Sequence, residues 1–335
     1  MFKPVYALTT KLQKNINEIE RLYGRLEGIT VPQHLLLNLE RNNLIQSAYI
    51  SNSIEGNPLS QAEVTNLLLN ERVPVNRDEK EVVNYFQLLK ELPIRAKEPL
   101  TLSTMKGIHE QLLAGVNEKI RGEIRDKRVV VGNYIDNQIV IKHDPPYHTK
   151  ELINQALQDL ITWKNEAEVP SILKIGIFHH EFVYIHPFED GNGRACRLLT
   201  SLLFLRHGYL INKYFVLDDY YDIDRQLYSD SLHTADSGDK TQWLEYFTDG
   251  VKYSLQSALG KIELGLTKMT FDIRPTPKEQ EVLKIIQQYK EINSSDLVKE
   301  FGVSRQQAFN LLKSLTEKGF VEKKGSTKSS YYILK

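Results

Sequence analysis

Apolar residues recur at three- and four-residue intervals over most of this 335-residue chain, a pattern that limits it to mainly α-helical folds. Within residues 12–92 the pattern is interrupted at Pro32, at residues 56–58 and at Pro74. Because proline and glycine end helices, we predict several helices joined by short loops in this part of the chain.

The middle of the chain combines helices with one predicted hairpin. Helical spacing predicts helices over residues 100–113, 151–163 and 171–185, and another from about Asn192 to Gly208. Two short β-prone runs, residues 129–131 and 138–141, flank residues 132–137 and indicate a β-hairpin.

Composition excludes several classes of protein. The 43 basic and 43 acidic residues cancel, which argues against a chain that coats nucleic acid or a membrane surface. Cys196 is the only cysteine, so no disulfide can form within one chain, and a reducing compartment is expected. No apolar stretch approaches the length of a membrane span. We therefore expect a cytoplasmic protein with no membrane partner.

Residues 186–197 read His-Pro-Phe-Glu-Asp-Gly-Asn-Gly-Arg-Ala-Cys-Arg and lie between two predicted helices. Glycines on both sides of Asn192 allow backbone N–H groups to converge, and the start of the next helix adds unpaired N–H groups. Arg194 and Arg197 lie in the first turn of that helix, where a cation opposes the helix dipole. An anion is therefore expected beside them.

Two more side chains of this run suit phosphate chemistry. Asp190 offers an oxygen ligand for Mg²⁺, and His186 offers a titratable base. Each feature alone is ordinary, since a histidine before proline commonly ends a helix and Asp-Gly-Asn-Gly is a good turn sequence. Together they favour a phosphate site. The chain lacks a Walker motif and a Gly-x-Gly-x-x-Gly turn in a parallel-sheet unit, which disfavours P-loop and Rossmann enzymes.

The run resembles throughout the HPFxDGNGRxxR signature of the Fic family, and the resemblance extends over residues 100–253. It implies a Fic-type helical core with a β-hairpin flap that docks the target. It also implies transfer of AMP from ATP to a Ser, Thr or Tyr hydroxyl of a protein. In this resemblance His109 lies on the first core helix, the hairpin at residues 129–141 is the flap, and Phe188 anchors the core.

The resemblance also implies roles for single residues. His186 deprotonates the target hydroxyl, and Asp190 holds Mg²⁺. Residues 191–193 cradle the phosphates, while Arg194 and Arg197 bind the β and γ groups. Tyr228 is a candidate neighbour of the adenine, with burial in the core as the alternative. The predicted ATP-binding residues are Gly191, Asn192, Gly193, Arg194, Ala195, Cys196, Arg197 and Tyr228.

Residues 51–57, Ser-Asn-Ser-Ile-Glu-Gly-Asn, match the inhibitory pattern (S/T)xxxE(G/N) of the same family. The alternative is an ordinary helix end at Gly56. The resemblance implies that Glu55 pairs with Arg197 and occupies the fork that the γ-phosphate needs, as in class II members. A second hypothesis gives Glu55 a positive role, in which it orients water that removes AMP from a modified target.

The last 60 residues predict a separate domain with the order helix, short helix, turn, longer helix and two strands, which is typical of a winged helix-turn-helix. Residues 276–335 carry eleven basic and seven acidic side chains, a net charge of +4 that suits DNA. Protein contacts or dimerisation are the alternative. The residues predicted to face DNA are Arg305, Gln306, Gln307, Asn310, Lys313 and, on the wing, Lys328.

These predictions define a mainly α protein with four segments. They are an N-terminal helical region with the inhibitory motif (1–97), a Fic core (98–262), a linker (263–276) and a winged domain (277–335). The leading function is an autoinhibited protein adenylyltransferase that uses ATP and Mg²⁺. The alternative is a DNA-binding transcriptional regulator whose Fic core senses nucleotide, and a homodimer is left open. Zinc is not predicted, because His143, His179 and His180 lack a third ligand.

Overall fold

The computed structural model describes residues 2–135, 138–273, 275–325 and 330–334, with the backbone alone for residues 133–140 and 267–273. Two compact units, Met1–Gly260 and Lys261–Lys335, make up the chain. Helices dominate both, so the predicted mainly α fold is confirmed. In the part of the chain that is described, every helix is too short or too polar to cross a membrane.

The first unit consists of helices and one hairpin. The helices, of which the last continues into the second unit, are α1 (Thr10–Gly28), α2 (Gln33–Ile54), α3 (Gln61–Leu69), α4 (Arg77–Arg95), α5 (Leu102–Leu112), α6 (Lys150–Glu166), α7 (Ser171–Ile185), α8 (Asn192–Arg206), α9 (Asp218–Ile223), α10 (Arg225–His233) and α11 (Thr241–Ile273). A 3₁₀ helix, Thr234–Ser237, lies between α10 and α11, and the hairpin strands are β1 (Val131–Ile135) and β2 (Gln138–His143).

The N-terminal helices end where the sequence predicts. Pro32 is the N-cap residue of α2, and Gly56 follows its end with a φ of 88°, a conformation that glycine adopts at little cost. Asn76, two residues after Pro74, caps α4 by accepting a hydrogen bond from the Glu79 N–H group. The predicted interruptions therefore separate α1, α2, α3 and α4.

Helices α7 and α8 form the centre of the first unit. Helix α8 packs against α4, α5 and α7. Phe178 and Phe182 on α7, and Leu198 and Leu202 on α8, are completely buried. Because both helices are held by packing on several sides, the loop between them, residues 186–191, is fixed at both ends.

The hairpin differs from its prediction in the first strand. Strand β1 occupies Val131–Ile135 instead of residues 129–131, and it pairs antiparallel with β2 from Ile135 opposite Gln138. Tyr134 and Ile135 favour a strand, and their pairing with β2 extends the ladder through residues of low β propensity. Residues 132–135 of the predicted tip therefore belong to the first strand, and residues 136 and 137 lie outside the described residues.

The end of helix α11 lies within the segment predicted to be a linker. The sequence analysis predicts a linker over residues 263–276, but α11 continues to Ile273. Residues 261–270 are rich in Leu, Lys, Glu and Met, which are good helix formers, and the first proline after them is Pro275. Residues 263–273 of the predicted linker are therefore helical.

The second unit has the predicted winged helix-turn-helix arrangement. Its elements after α11 are α12 (Pro277–Tyr289), α13 (Ser294–Phe301), α14 (Arg305–Glu317), β3 (Val321–Lys324) and β4 (Tyr331–Leu334). Gly302 makes the turn between α13 and α14 with a φ of 62°. Val282, Leu297, Leu312 and Tyr332 belong to one buried core.

The predicted DNA-facing residues that the structure describes lie on the outside of the second unit. Five of them share the exposed side of α14, namely Arg305, Gln306, Gln307, Asn310 and Lys313. Lys328 lies outside the described residues. An exposed helix with basic and amide side chains is compatible with contact to a DNA groove.

Candidate active site

The loop between α7 and α8 begins with His186 in a left-handed backbone conformation, with φ 49° and ψ 64°. This conformation costs a non-glycine residue about 1–3 kcal/mol and persists only where its surroundings hold it. The Arg125 guanidinium donates to the carbonyl oxygens of Ile185 at 3.1 Å and His186 at 2.6 Å. Its backbone N–H group donates to the Pro187 oxygen at 3.0 Å. Arg125 therefore fixes three successive carbonyl groups.

We expect Arg125→Lys to destabilise the first unit by about 3 kcal/mol, because it removes at least two hydrogen bonds from a charged donor. The guanidinium, which is buried, also donates to the Lys127 oxygen at 2.6 Å, and an ammonium group cannot serve all of these carbonyls together. Thermal denaturation measures the loss. Arg128→Lys is the matched control, since Arg128 pairs with Asp144 at the surface. Equal losses in the two variants would contradict the role of Arg125.

Side-chain contacts also hold the C-terminal part of the loop between α7 and α8. The Asn192 amide accepts from the Phe188 N–H group at 2.9 Å and donates to the Phe188 oxygen at 2.8 Å. The His109 ring stacks on Phe188 with centroids 3.6 Å apart. Its Nδ1 accepts from Gly122 N–H, so Nε2 carries the proton and donates to the Asp190 oxygen at 3.0 Å. Burial lowers the pKa of His109 to about 4, which keeps this ring neutral.

His186 is placed to accept a proton. Its Nδ1 lies 3.3 Å from the Val183 carbonyl oxygen, which can only accept, so Nδ1 carries the proton and Nε2 carries the lone pair. Desolvation, reinforced by His143, lowers the pKa of His186 to about 3, so the ring is neutral near pH 7. Among the described residues, none forms a hydrogen bond with His186 Nε2.

Helix α8 begins with unpaired backbone donors. Its N-cap is Gly191, with a φ of 74°, and no side chain caps it. The Ala195 N–H group donates to the Gly191 oxygen at 2.9 Å, which leaves the N–H groups of residues 192–194 unpaired within the described part of the chain. The Gly191 N–H group donates to Asp190 Oδ1 at 2.6 Å. The N–H groups available to an anion are therefore those of residues 192–194, and Gly191 supplies the turn.

Glu55 lies over the start of α8. Its Oε1 is 2.8 Å from Arg197 Nη2, and a Cβ atom added at Gly193 would overlap the same carboxylate. The other end of the inhibitory motif meets the same arginine, because Arg197 Nε donates to Ser51 Oγ at 2.7 Å and Nη2 donates to the Ser51 oxygen at 2.8 Å. The predicted partners Glu55 and Arg197 are thus in contact, in a place where phosphate would meet the helix.

Arg194 has a partner that the sequence does not indicate. Its Nη1 is 3.0 Å from Glu81 Oε2, and both side chains are buried. Arg77 donates to the same carboxylate at 3.0 Å and lies 3.4 Å from Asp190 Oδ2. Arg194 Nε is buried and has no partner among the described residues. This side chain therefore keeps an unused donor at the start of α8.

Asp190 fits the predicted role of a magnesium ligand. Its side chain is 40% exposed, and it lies directly before the unpaired N–H groups of α8. Mg²⁺ commonly takes one or two protein carboxylates and completes its shell with phosphate oxygens and water. An accessible carboxylate beside unpaired N–H groups that could hold phosphate is one of the ligands that such an ion needs.

Three predicted ATP-binding side chains, those of Ala195, Cys196 and Tyr228, are buried. Ala195 and Cys196 are completely buried, and the Cys196 thiol donates to the His179 oxygen at 3.3 Å on α7. Tyr228 is 6% exposed and its hydroxyl bonds to His179 Nε2 at 3.0 Å. The structure therefore places Tyr228 in the core, because its ring stacks on Tyr221. Helical spacing alone does not distinguish such a core aromatic from one that lines a pocket.

Two family models match the chain. Residues 99–204 match the Fic/DOC family, and residues 276–329 match the MarR family. The first range contains the site between α7 and α8, and the second contains the helices of the winged unit. A segment similar to the Fic/DOC family is therefore followed by a winged-helix segment similar to the MarR family.

Curated relatives carry the name protein adenylyltransferase. Protein adenylyltransferase fic-1 of Caenorhabditis elegans is 24% identical over 297 residues, which are 84% of this chain and 54% of the relative. Protein adenylyltransferase Fic of Aedes aegypti is 26% identical over 261 residues, 72% of this chain and 47% of the relative. The chain thus spans about half the length of the curated relatives it matches.

Solved structures share the fold. A Fic family protein from Desulfovibrio desulfuricans G20 matches with a TM-score of 0.70 and 24% identity, covering 100% of this chain and 98% of that one. Fic-1 of C. elegans (residues 134–508) matches with a TM-score of 0.62 and 23% identity, covering 76% and 73%. At these identities the likeness establishes the fold.

Proposed function

We propose that this chain is an autoinhibited protein adenylyltransferase that moves AMP from ATP to a Ser, Thr or Tyr hydroxyl of a protein. The observation that carries the proposal is the 2.8 Å ion pair between Glu55 and Arg197, at the helix start that follows His186. The neutral histidine, the unpaired N–H groups and the two arginines suit transfer of a nucleotide. The Glu55 carboxylate suits a brake on that transfer.

The reaction needs one proton transfer and one displacement. His186 Nε2 removes the proton of the target hydroxyl, and the hydroxyl oxygen forms a bond with the α-phosphorus of ATP. The bond between the α-phosphorus and the bridging oxygen to the β-phosphate breaks, and pyrophosphate leaves with that oxygen. The products are the AMP-modified protein, pyrophosphate and the proton held by His186.

Pyrophosphate is a good leaving group only when its charge is neutralised. Arg197 would bind it once Glu55 has moved away, Arg194 would offer its unused Nε, and the N–H groups of residues 192–194 add the helix dipole. A magnesium ion held by Asp190 would supply further positive charge to the phosphates. In the braked state the Arg197 fork is engaged by Glu55, so the γ-phosphate is excluded from it.

Mass spectrometry of a cell lysate treated with Glu55→Gly protein and ATP tests the reaction class. The expected product is a protein whose Ser, Thr or Tyr carries the added mass of AMP. The matched sample contains the Glu55→Gly/His186→Ala protein. AMP adducts of equal abundance in both samples would show that this chain does not produce them.

The same site suits removal of AMP if Glu55 orients water. Glu55 is 32% exposed in its side chain, so a water molecule can reach the carboxylate. Purified AMP-modified target is incubated with wild type and with Glu55→Gly, and released AMP is measured over time. We expect release by wild type alone. Release at the same rate from both proteins would exclude this role for Glu55.

The second candidate function is DNA binding, which the exposed basic and amide residues of α14 and the match to the MarR family favour. Retention on DNA by the full chain should fall steeply with salt if phosphates are contacted. Arg305→Ala together with Lys313→Ala should weaken retention and flatten its salt dependence. Glu317→Ala, a change on the same helix that removes a negative charge, is the control and should not weaken retention.

A further inference from the structure

Three side chains from three elements meet close to His186. His143 ends strand β2, His233 ends α10, and Asp236 lies in the 3₁₀ helix Thr234–Ser237. One ligand atom of each lies within 4.8 Å of the other two. Asp236 Oδ2 is 2.8 Å from His143 Nδ1 and 2.9 Å from His233 Nδ1. The sequence suggests no such group for His143, because the two partners lie about ninety positions further along the chain.

Surrounding hydrogen bonds orient these groups. His143 Nε2 lies 3.0 Å from the Tyr184 carbonyl oxygen, which can only accept. Nε2 therefore carries a proton, and in the neutral ring the Nδ1 lone pair points at the Asp236 carboxylate. Two acceptors at 2.8 Å repel each other unless a second proton on the ring lies between them or a metal ion, to which each turns its lone pair, binds both. A histidine that donates its outer N–H to a backbone carbonyl is the usual arrangement at metal sites.

The other carboxylate oxygen of Asp236, Oδ1, also has a hydrogen-bond partner. His180 Nε2 is 3.0 Å from Asp236 Oδ1, and Lys240 Nζ donates to His180 Nδ1 at 2.8 Å. Because Nδ1 accepts from lysine, Nε2 carries the proton and donates to the carboxylate. His180 thus fixes the carboxylate orientation and leaves Oδ2 for a ligand bond.

We propose that His143, His233 and Asp236 bind a divalent transition-metal ion of the zinc type. Two imidazoles and one carboxylate are a donor set that zinc uses with water in its fourth position. His143 is buried, whereas the side chains of His233 and Asp236 are 18% and 24% exposed, which gives a metal ion and its water access from solvent.

The metal ion joins the end of the flap strand β2 to α10. The His143 and His186 ring centroids are 6.3 Å apart, so the ion anchors the flap beside the proposed catalytic base. Asp190, the proposed magnesium ligand, takes no part in this site. The proposed role of the metal ion is to position the flap. This role does not depend on whether the chain transfers AMP.

Titration of the chelator-treated full chain with Co²⁺ tests the site, because tetrahedral Co²⁺ with nitrogen ligands absorbs intensely in the visible range. We expect saturation at one ion per chain and displacement by Zn²⁺. His233→Gln, which keeps a hydrogen-bond donor near Asp236, should weaken binding on the order of 100-fold or more, since even outer-shell changes cost 10–100-fold. His148→Gln, at an exposed histidine, and Asp190→Asn should bind as wild type does.

Circular dichroism establishes that each variant is folded before it is titrated. Absence of the intense Co²⁺ bands from the wild-type protein would overturn the proposal, and the cluster would then be held by a proton on His143. Unchanged affinity in both His233→Gln and Asp236→Asn would overturn it as well. Bands lost only in Asp190→Asn would assign the ion to the nucleotide site and not to this cluster.

Discussion

Replacing Glu55 with glycine is expected to raise the rate of AMP transfer by about 10- to 100-fold. The Glu55 carboxylate lies 2.8 Å from Arg197 and over Gly193, so it occupies the space and the guanidinium that we propose for the γ-phosphate. A hydrogen bond to a charged group contributes about 1.5–3 kcal/mol, and each 1.4 kcal/mol is about tenfold in rate. Incorporation of label from ATP labelled at the α-phosphate measures the effect.

Two further variants separate the charge of Glu55 from other effects of the substitution. Glu71→Gly is the matched control, because Glu71 is exposed just after α3 and already has a φ of 48°. It should leave transfer unchanged. Glu55→Gln keeps the shape and removes the charge, so an increase in this variant assigns the brake to the ion pair. Equal labelling by wild type and Glu55→Gly would exclude the brake.

Removal of the His186 imidazole in the Glu55→Gly background is expected to lower AMP transfer by about 10²- to 10⁴-fold, the usual contribution of a general base. The reason is that Nε2 is the lone-pair nitrogen of a ring whose Nδ1 donates to Val183. Initial rates with saturating ATP and Mg²⁺ measure the loss. ATP affinity should change little, because we propose that the phosphate groups are bound by the N–H groups of residues 192–194 and by Arg194 and Arg197.

The left-handed backbone of His186 calls for a second variant. Alanine is strained at a φ of 49°, whereas asparagine tolerates this region. His186→Asn therefore keeps the loop and removes the base, and it should be as inactive as His186→Ala. His148→Ala, at an exposed histidine outside the loop, is the control. Transfer by His186→Asn at the parent rate would show that another group removes the proton.

The sequence predicts the limits of α7 and α8 because proline and glycine mark them. Pro170 precedes α7, His186 and Pro187 end it, and Gly208 follows the end of α8 with a φ of 89°. Glu55 and Arg197 are 142 positions apart in the sequence. Their pairing is predicted from the resemblance to a family, because no local residue pattern indicates it. Signals close together in the sequence thus predict where the helices begin and end, whereas the long-range contact is predicted only by the match to a known motif.

Other parts of the site depend on contacts that no local pattern encodes. Arg125 and Glu81 belong to no motif, and their importance arises when the fold brings them to the loop and to Arg194. Tyr228 has the spacing of a core residue and of a pocket residue alike, and only packing decides between them. The metal-binding group proposed above joins β2 to α10, and the spacing of its residues along the sequence does not indicate it either.

The rate of labelling in one assay of three proteins, with ATP labelled at either the α- or the γ-phosphate, tests the central claim most directly. We predict that α-label enters protein slowly with wild type, much faster with Glu55→Gly and not measurably with Glu55→Gly/His186→Asn, and that γ-label enters with none. Transfer of γ-label, or equal α-labelling by wild type and Glu55→Gly, would contradict an AMP transferase restrained by Glu55 at Arg197.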